Sequence, residues 1–535
     1  MMLHSAKVLQ TMFLAMTCLA AAGLAAAQEP EGSRRGRGAR GDQSTPAERP
    51  AAEKRGERPA VEYSDKLVTT QHSAMIQGKE LKYTATVGTL VMRNDEGKAL
   101  ANFFSIAYTK DGVNDRSKRP ITFAFNGGPG SSSVWLHLGM LGPKRMKVPD
   151  DTSVAPPPYE LSNNPYSVLD LTDLIMIDPV STGFSRPAEG EDRTQFHGYE
   201  EDLNSVGQFI HDYVTKNDRW RSPKFIIGES YGGIRSAGLS GHLLTRYRMP
   251  VSGIIMVSPA INFYTLGFNP GHDLPFILFM PTYACTAWYH KALPGDLQRL
   301  SVDEIYRQSK EFAMTEYTLA LMKGHMLGTE ERSAVAEKLS RYTGLSKEFV
   351  DDANLRISMQ RFAKELLRSR GQMVGRYDGR YTGIDADDAG ETPEYDPSGS
   401  KVFGAFTAAI NDYLRNELNW DDNHVYEILG GNVQPWNYGR GNRIVDTSDT
   451  LRSTMSQNPL MKVFLASGYY DMACPPLTAT YSLEHMRLPA DLQKNITYGY
   501  YEGGHMMYIY EPAMEKLRKD VEKFYRSAYP QESAE

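Results

Sequence analysis

Apolar positions along the chain fall into two patterns. Short unbroken runs occur at Ile121 to Phe125, Phe225 to Ile227, Gly253 to Val257, Val463 to Ala466 and Ile496 to Tyr501. Runs of this length, bounded by turn residues, predict strands covered on both faces. Leu81 to Val91 and Ala101 to Thr109 alternate or run apolar on either side of Asn94-Asp95-Glu96-Gly97, which predicts a β-hairpin leading into the sheet. Between the strand-like runs lie helix-compatible stretches. One continues from Gly233 to Leu244, one opens at Ser301-Val302-Asp303-Glu304 with a capping box, and others span Leu319 to Met326 and Phe362 to Leu367. Strands that alternate with helices predict an α/β fold with a mostly parallel central sheet. The helical stretch 271–440, between the strand at Gly253 and the strand at Val463, reads as a large cap insertion. The expected division is therefore an α/β core over 61–270 and 441–535, split by that cap.

The candidate chemistry sits where strand-like runs end. Gly228-Glu229-Ser230-Tyr231-Gly232-Gly233 follows Phe225 to Ile227 and leads into a helix, the layout of a nucleophile elbow that lifts the Ser230 hydroxyl above a sheet edge. Alone, such a run is equally a glycine turn whose serine caps the next helix. A second glycine run, Asn126-Gly127-Gly128-Pro129-Gly130-Ser131-Ser132-Ser133, follows Ile121 to Phe125. Acyl transfer generates an oxyanion, and this layout stabilises it with the amide after the nucleophile, Tyr231, and one from the earlier loop, for which Gly128 is the candidate. A phosphate cradle is disfavoured because no Gly-Lys-Ser/Thr follows.

A serine nucleophile needs a base, and the base needs an acid to fix its tautomer. Of the 12 histidines, His505 lies in the Gly-Gly turn after Ile496 to Tyr501, whereas His325 lies in a helical polar segment and His137 and His242 read as packing or surface residues. Asp471 follows Val463 to Ala466 in the turn Ser467 to Asp471; its bland alternative is an Asx turn. The chain order Ser230, Asp471, His505 is the one expected of an α/β-hydrolase.

These blocks together resemble the serine carboxypeptidases, peptidase family S10, related to carboxypeptidase Y and cathepsin A. Asn126 to Ser133 resembles the family's Asn-Gly-Gly-Pro-Gly block, Asn164-Pro165-Tyr166-Ser167 its Asn-Pro-x-Ser block, and Pro179 to Ser185 its Pro-x-Gly-x-Gly-Phe-Ser block. Gly228 to Gly233, Asp471 and Gly504-His505-Met506 complete the set. The resemblance implies the α/β-hydrolase fold, removal of C-terminal residues through an acyl-enzyme on Ser230, and binding of the substrate's terminal carboxylate by Asn126 and Glu229. A glutamate facing a carboxylate binds it only while one of them carries a proton, so activity is expected to favour acidic pH. The chain also departs from the family. Ala124 and Ser131 stand where many members have tryptophan and cysteine, Ser181 replaces the first glycine of its block, and Asp178 abuts Pro179. An esterase or acyltransferase on the same scaffold would keep Ser230, Asp471 and His505 without the carboxylate clamp, and a non-catalytic binding protein would need none of them.

Composition narrows the setting. Lys7, the apolar stretch Val8 to Ala26 and the small residues Ala25-Ala26-Ala27 read as a signal peptide over 1–27, predicting export to the periplasm or the cell exterior. Residues 28–60, rich in Arg, Glu, Gly and Pro, read as a flexible leader. The net charge of −6 gives no support for a nucleic-acid partner, and no later segment is long and apolar enough for stable membrane insertion. With Cys18 removed, Cys285 and Cys474 allow at most one disulfide, so the fold must rest on its core. Asp385 to Gly390 has the look of a calcium loop, but Ala389 and Pro393 spoil its ligand series. No cofactor or metal is expected; the expected partners are peptides with a free C-terminus.

Overall fold

A computed structural model describes residues 63–439 and 444–529. The signal peptide and leader expected over residues 1–60 lie outside these. The sheet is built from β1 (Lys66–Ile76), β2 (Lys79–Arg93), β3 (Ala99–Lys110), β4 (Ile121–Phe125), β5 (Asp173–Ile177), β6 (Lys224–Glu229), β7 (Gly253–Val257), β8 (Lys462–Gly468) and β9 (Ile496–Tyr501). Their order across the sheet is β1-β2-β3-β5-β4-β6-β7-β8-β9. The first three strands and the β3/β5 junction are antiparallel, and every junction from β5 to β9 is parallel. The expected hairpin is β2 and β3; the strand β1 in front of it, whose outer positions are mostly exposed, was not anticipated.

Alternation of side chains explains why the short apolar runs become central strands. Phe225 and Ile227 of β6 and Ile255 and Val257 of β7 point to one core, with Leu517, Val521 and Phe524 of the C-terminal helix Glu511–Ala528. Ile226, Ile254 and Met256 point to the other, with Leu203 and Val206 of helix α1 (Tyr199–Lys216) and Ala237 and Leu239 of helix α2 (Tyr231–Tyr247). A strand with both faces covered has no position for a polar side chain, hence the unbroken runs.

The chain between β7 and β8 carries a third core, from Ile277 and Tyr283 of helix α3 (Leu274–Tyr289) through Phe362 and Val374. Tyr469, Tyr470 and Met472, just after β8, belong to it as well. The helix α4 (Val302–Phe312) begins where the capping box predicted; the Ser301 hydroxyl accepts from the Glu304 amide at 3.3 Å, but the Glu304 carboxylate turns to Arg307 and Gln308 instead of reaching back. The long helix α5 (Pro397–Asn416) packs Val402, Phe406, Ile410 and Tyr413 into the sheet's own core. Among the described residues no helix is long and apolar enough to cross a membrane.

Candidate active site

Strand order fixes where a site can form. After β4 the chain visits β5 on one side and returns to β6 on the other, so β4 and β6 are neighbours whose following loops diverge, and ligands bind in the crevice such a switch point opens. Those two loops are the glycine run from Asn126 and the turn at Ser230. Because β6 to β9 are parallel, the turns carrying Ser230, Asp471 and His505 leave the same edge of the sheet.

Ser230 is half-buried and has φ 62° and ψ −126°, a conformation costly for a non-glycine residue. Three backbone hydrogen bonds hold it: its amide donates to Val257 O at 3.1 Å, and its carbonyl accepts from Gly233 and Ala260, both at 2.9 Å. The Asn126 loop lies hard against this turn. A Cβ on Gly127 would sit 2.4 Å from the Tyr231 amide nitrogen, so only glycine lets the two backbones meet. Gly128 itself has φ 100°. The loop is tied down from below: Arg235, one turn into α2, donates to Asn126 O at 2.6 Å and pairs with Asp202 of α1 at 2.7 Å, with both side chains almost fully buried. From above, segment 427–430 pairs with it, through Ser132 N to Ile428 O at 3.0 Å and Gly430 N to Gly130 O at 3.2 Å. Ser131, where many family members carry a cysteine, accepts from Trp135 Nε1 at 2.9 Å and donates to backbone carbonyls, so hydrogen bonds anchor this loop. Asp178 accepts from the Ser133 amide and hydroxyl at 2.8 Å each, consistent with a structural role for the block that follows it.

His505 Nδ1 lies 2.9 Å from Asp471 Oδ2, and the other carboxylate oxygen accepts from the amides of Ala473 and Cys474 at 2.8 and 2.9 Å. Asp471 is therefore fully engaged and fully buried. Burial pushes the His505 imidazole down, but the Asp471 carboxylate, with Glu229 behind it, outweighs that and holds its pKa above the ordinary value. Burial and the Asp471 charge keep the Cys474 thiol protonated. Cys474 and Cys285 are both buried and unpaired.

Glu229 is not the surface carboxylate that its position beside the elbow allowed. It is buried and accepts from the Tyr508 hydroxyl at 2.6 Å, while the Asn126 Oδ1 accepts from the Leu136 amide at 3.0 Å. Burial raises its pKa to about 7; His505, Tyr508 and Asn126 pull the other way and lose.

No sequence pattern points to the segment that grips the histidine turn. Residues Gly375 to Arg380, from the chain between β7 and β8, cross both turns: Arg376 O accepts from Met472 N at 3.0 Å, Gly379 N donates to Tyr470 O at 2.9 Å, and Tyr377 O accepts from His505 N at 2.5 Å. Asp378, fixed by Arg380 at 2.7 Å, accepts from the Gly504 amide at 3.0 Å. A Cβ on Gly504 would lie 2.3 Å from Tyr377 O. Tyr508, three residues past His505 in a short 3-10 turn, was also missed. His325 is exposed on the distal helices, and His137 is buried against the Tyr108 hydroxyl at 2.7 Å. In the calcium-like stretch, Asp385 pairs with Lys364 and Asp387 closes an Asx turn on Ala389 and Gly390.

The serine carboxypeptidase family profile matches residues 78–511. The chain belongs to the serine carboxypeptidase family. A carboxypeptidase Y homolog from Arthroderma benhamiae is 29% identical to this family member over 153 residues, 28% of either chain. Serine carboxypeptidase-like 34 from Arabidopsis thaliana is 28% identical over 159 residues, 29% of either chain. The matched stretch thus spans less than a third of the length of these relatives. A crystal structure of Kex1(delta)p, described as a prohormone-processing carboxypeptidase from Saccharomyces cerevisiae, superposes with a TM-score of 0.52 at 15% identity, covering 83% of this chain and 91% of that one. Sheet and neighbour agree on the α/β-hydrolase fold for this member of the serine carboxypeptidase family.

Proposed function

We propose that this chain is an exported serine-type carboxypeptidase that removes C-terminal residues from peptides. Ser230 Oγ attacks the carbonyl carbon of the last peptide bond as its proton passes to His505 Nε2, whose other nitrogen Asp471 holds. The amides of Gly128 and Tyr231 stabilise the oxyanion. The carbon–nitrogen bond breaks, the proton moves from His505 to the leaving amine, and water then hydrolyses the acyl ester on Ser230 by the same relay.

The observation that carries this reading over an esterase is the buried Glu229 beside Ser230, held by the Tyr508 hydroxyl with its pKa raised to about 7. Burying a carboxyl group is costly, and an esterase has no use for it; a protonated carboxyl group is the partner a substrate carboxylate requires. Since the protonated form binds, affinity for the free acid is present below about pH 7 and lost as the pH rises through that value. A blocked dipeptide and its C-terminal amide, compared at pH 5 and pH 8, test this. The free acid is expected to be preferred at pH 5, with the preference collapsing at pH 8; equal turnover at both pH values contradicts it.

A further inference from the structure

Arg376 stands apart from the other arginines near the site. Arg235 and Arg380 are buried and paired with Asp202 and Asp378. Arg376 is exposed to solvent. Among the described residues no carboxylate lies within 4.0 Å of its guanidinium, which rests over the Tyr377 ring at 5.1 Å from the centroid. Asp396, which acts on Arg376 electrostatically, spends its oxygens on the amides of Arg376, Tyr377 and Ser398 at 3.1, 3.2 and 3.0 Å. The backbone of Arg376 is fixed by Met472 N, next to Asp471, and that of Tyr377 by His505 N. The guanidinium acts electrostatically on both His505 and Cys474, three residues past Asp471. A positive charge there opposes the imidazolium that the relay must form. Asp471 and Glu229 offset that charge at His505, and Asp396 partly offsets it at Arg376 without forming an ion pair, so the guanidinium keeps its fork open to an outside anion.

We propose that Arg376 forms a second carboxylate-binding subsite, which takes the acidic side chain of an Asp or Glu flanking the scissile bond. The inference rests on the carboxypeptidase reading and deepens it: Glu229 and Asn126 serve the terminal carboxylate, and Arg376 sets a preference for acidic peptides. A guanidinium presents a planar fork that matches a carboxylate, and a charge-assisted contact of this kind is worth about tenfold in binding.

The test compares kcat/KM for blocked dipeptides carrying Glu or Gln at each of the two positions flanking the bond, with a Phe-Leu reference as acid and amide. Wild type is expected to favour Glu over Gln by about tenfold at one position. Arg376→Met is expected to bring that ratio to about one, and Arg376→Glu to replace it with a preference for Lys. The ratio is internal to each variant, so a general loss of rate does not enter it. Equal use of Glu and Gln by wild type, or a ratio that survives both substitutions, overturns the proposal. If Arg376→Met instead lowers the acid-to-amide ratio of Phe-Leu, the guanidinium binds the terminal carboxylate and the side-chain subsite is overturned. Failure of wild type to cleave even Phe-Leu overturns the carboxypeptidase reading beneath it.

Discussion

Among single residues, Glu229 bears most directly on the chemistry. Its folded pKa of about 7 against an ordinary 4.5 means that, between those values, the unfolded chain releases a proton the folded protein retains. Folding stability is therefore full below about pH 4.5 and falls as the pH rises through 7, by about 3 kcal/mol. Glu229→Gln removes that loss while keeping an acceptor for Tyr508, so its Tm is expected to exceed wild type by a few degrees at pH 8 and to match it at pH 4.5. A Tm difference independent of pH contradicts the buried, protonated carboxyl. Tyr508 stabilises the ionised form of Glu229, so Tyr508→Phe is expected to raise the Glu229 pKa further. The alkaline limb of kcat/KM for free-acid peptides then moves up by about one pH unit, and an unmoved limb would show that the hydroxyl does not tune the clamp. Residues such as Ser230, Asn126 and His505 were legible because backbone geometry at a strand end demands particular small neighbours within five or six positions. The Tyr508 to Glu229 contact spans 279 positions, and nothing local encodes it.

At the scale of elements, the parallel strands explain why separate turns share one edge, and the Gly375 to Arg380 segment explains what holds two of them. Its hold on the histidine turn depends on a side chain being absent. Gly504→Ala puts a Cβ 2.3 Å from Tyr377 O, so one backbone must shift and the hydrogen bond to His505 N is strained. A displacement of about 1 Å in a general base costs on the order of a hundredfold, so kcat is expected to fall by that order in a protein that still folds. An unchanged kcat with native circular dichroism would show that the segment does not position His505. Strands with two buried faces were readable as unbroken apolar runs, and α4 from its cap. The strand β1 escaped because its outer face is solvated, with Lys66, Leu67, Thr69, Gln71 and Ser73 exposed or half-exposed, so it carries no apolar run. The Gly375 segment escaped because two-residue strands at Met373–Val374 and Thr382–Gly383, not periodicity, define it.

At the scale of the whole molecule, two cores sandwich the sheet and a third, built from the chain between β7 and β8, reaches the turn after β8 through Tyr469, Tyr470 and Met472. The third core thus includes residues on either side of Asp471. Family membership follows from motifs scattered from Asn126 to His505, a pattern readable without coordinates; the cleft's charge arrangement, with Glu229 buried and Arg376 open, needed the packing. The most direct measurement is a mass-spectrometric time course of an unblocked peptide with wild type and Ser230→Ala at pH 5. The account predicts a ladder losing one C-terminal residue at a time with wild type and none with Ser230→Ala. Internal cleavage, or a ladder that persists without the Ser230 hydroxyl, would contradict it.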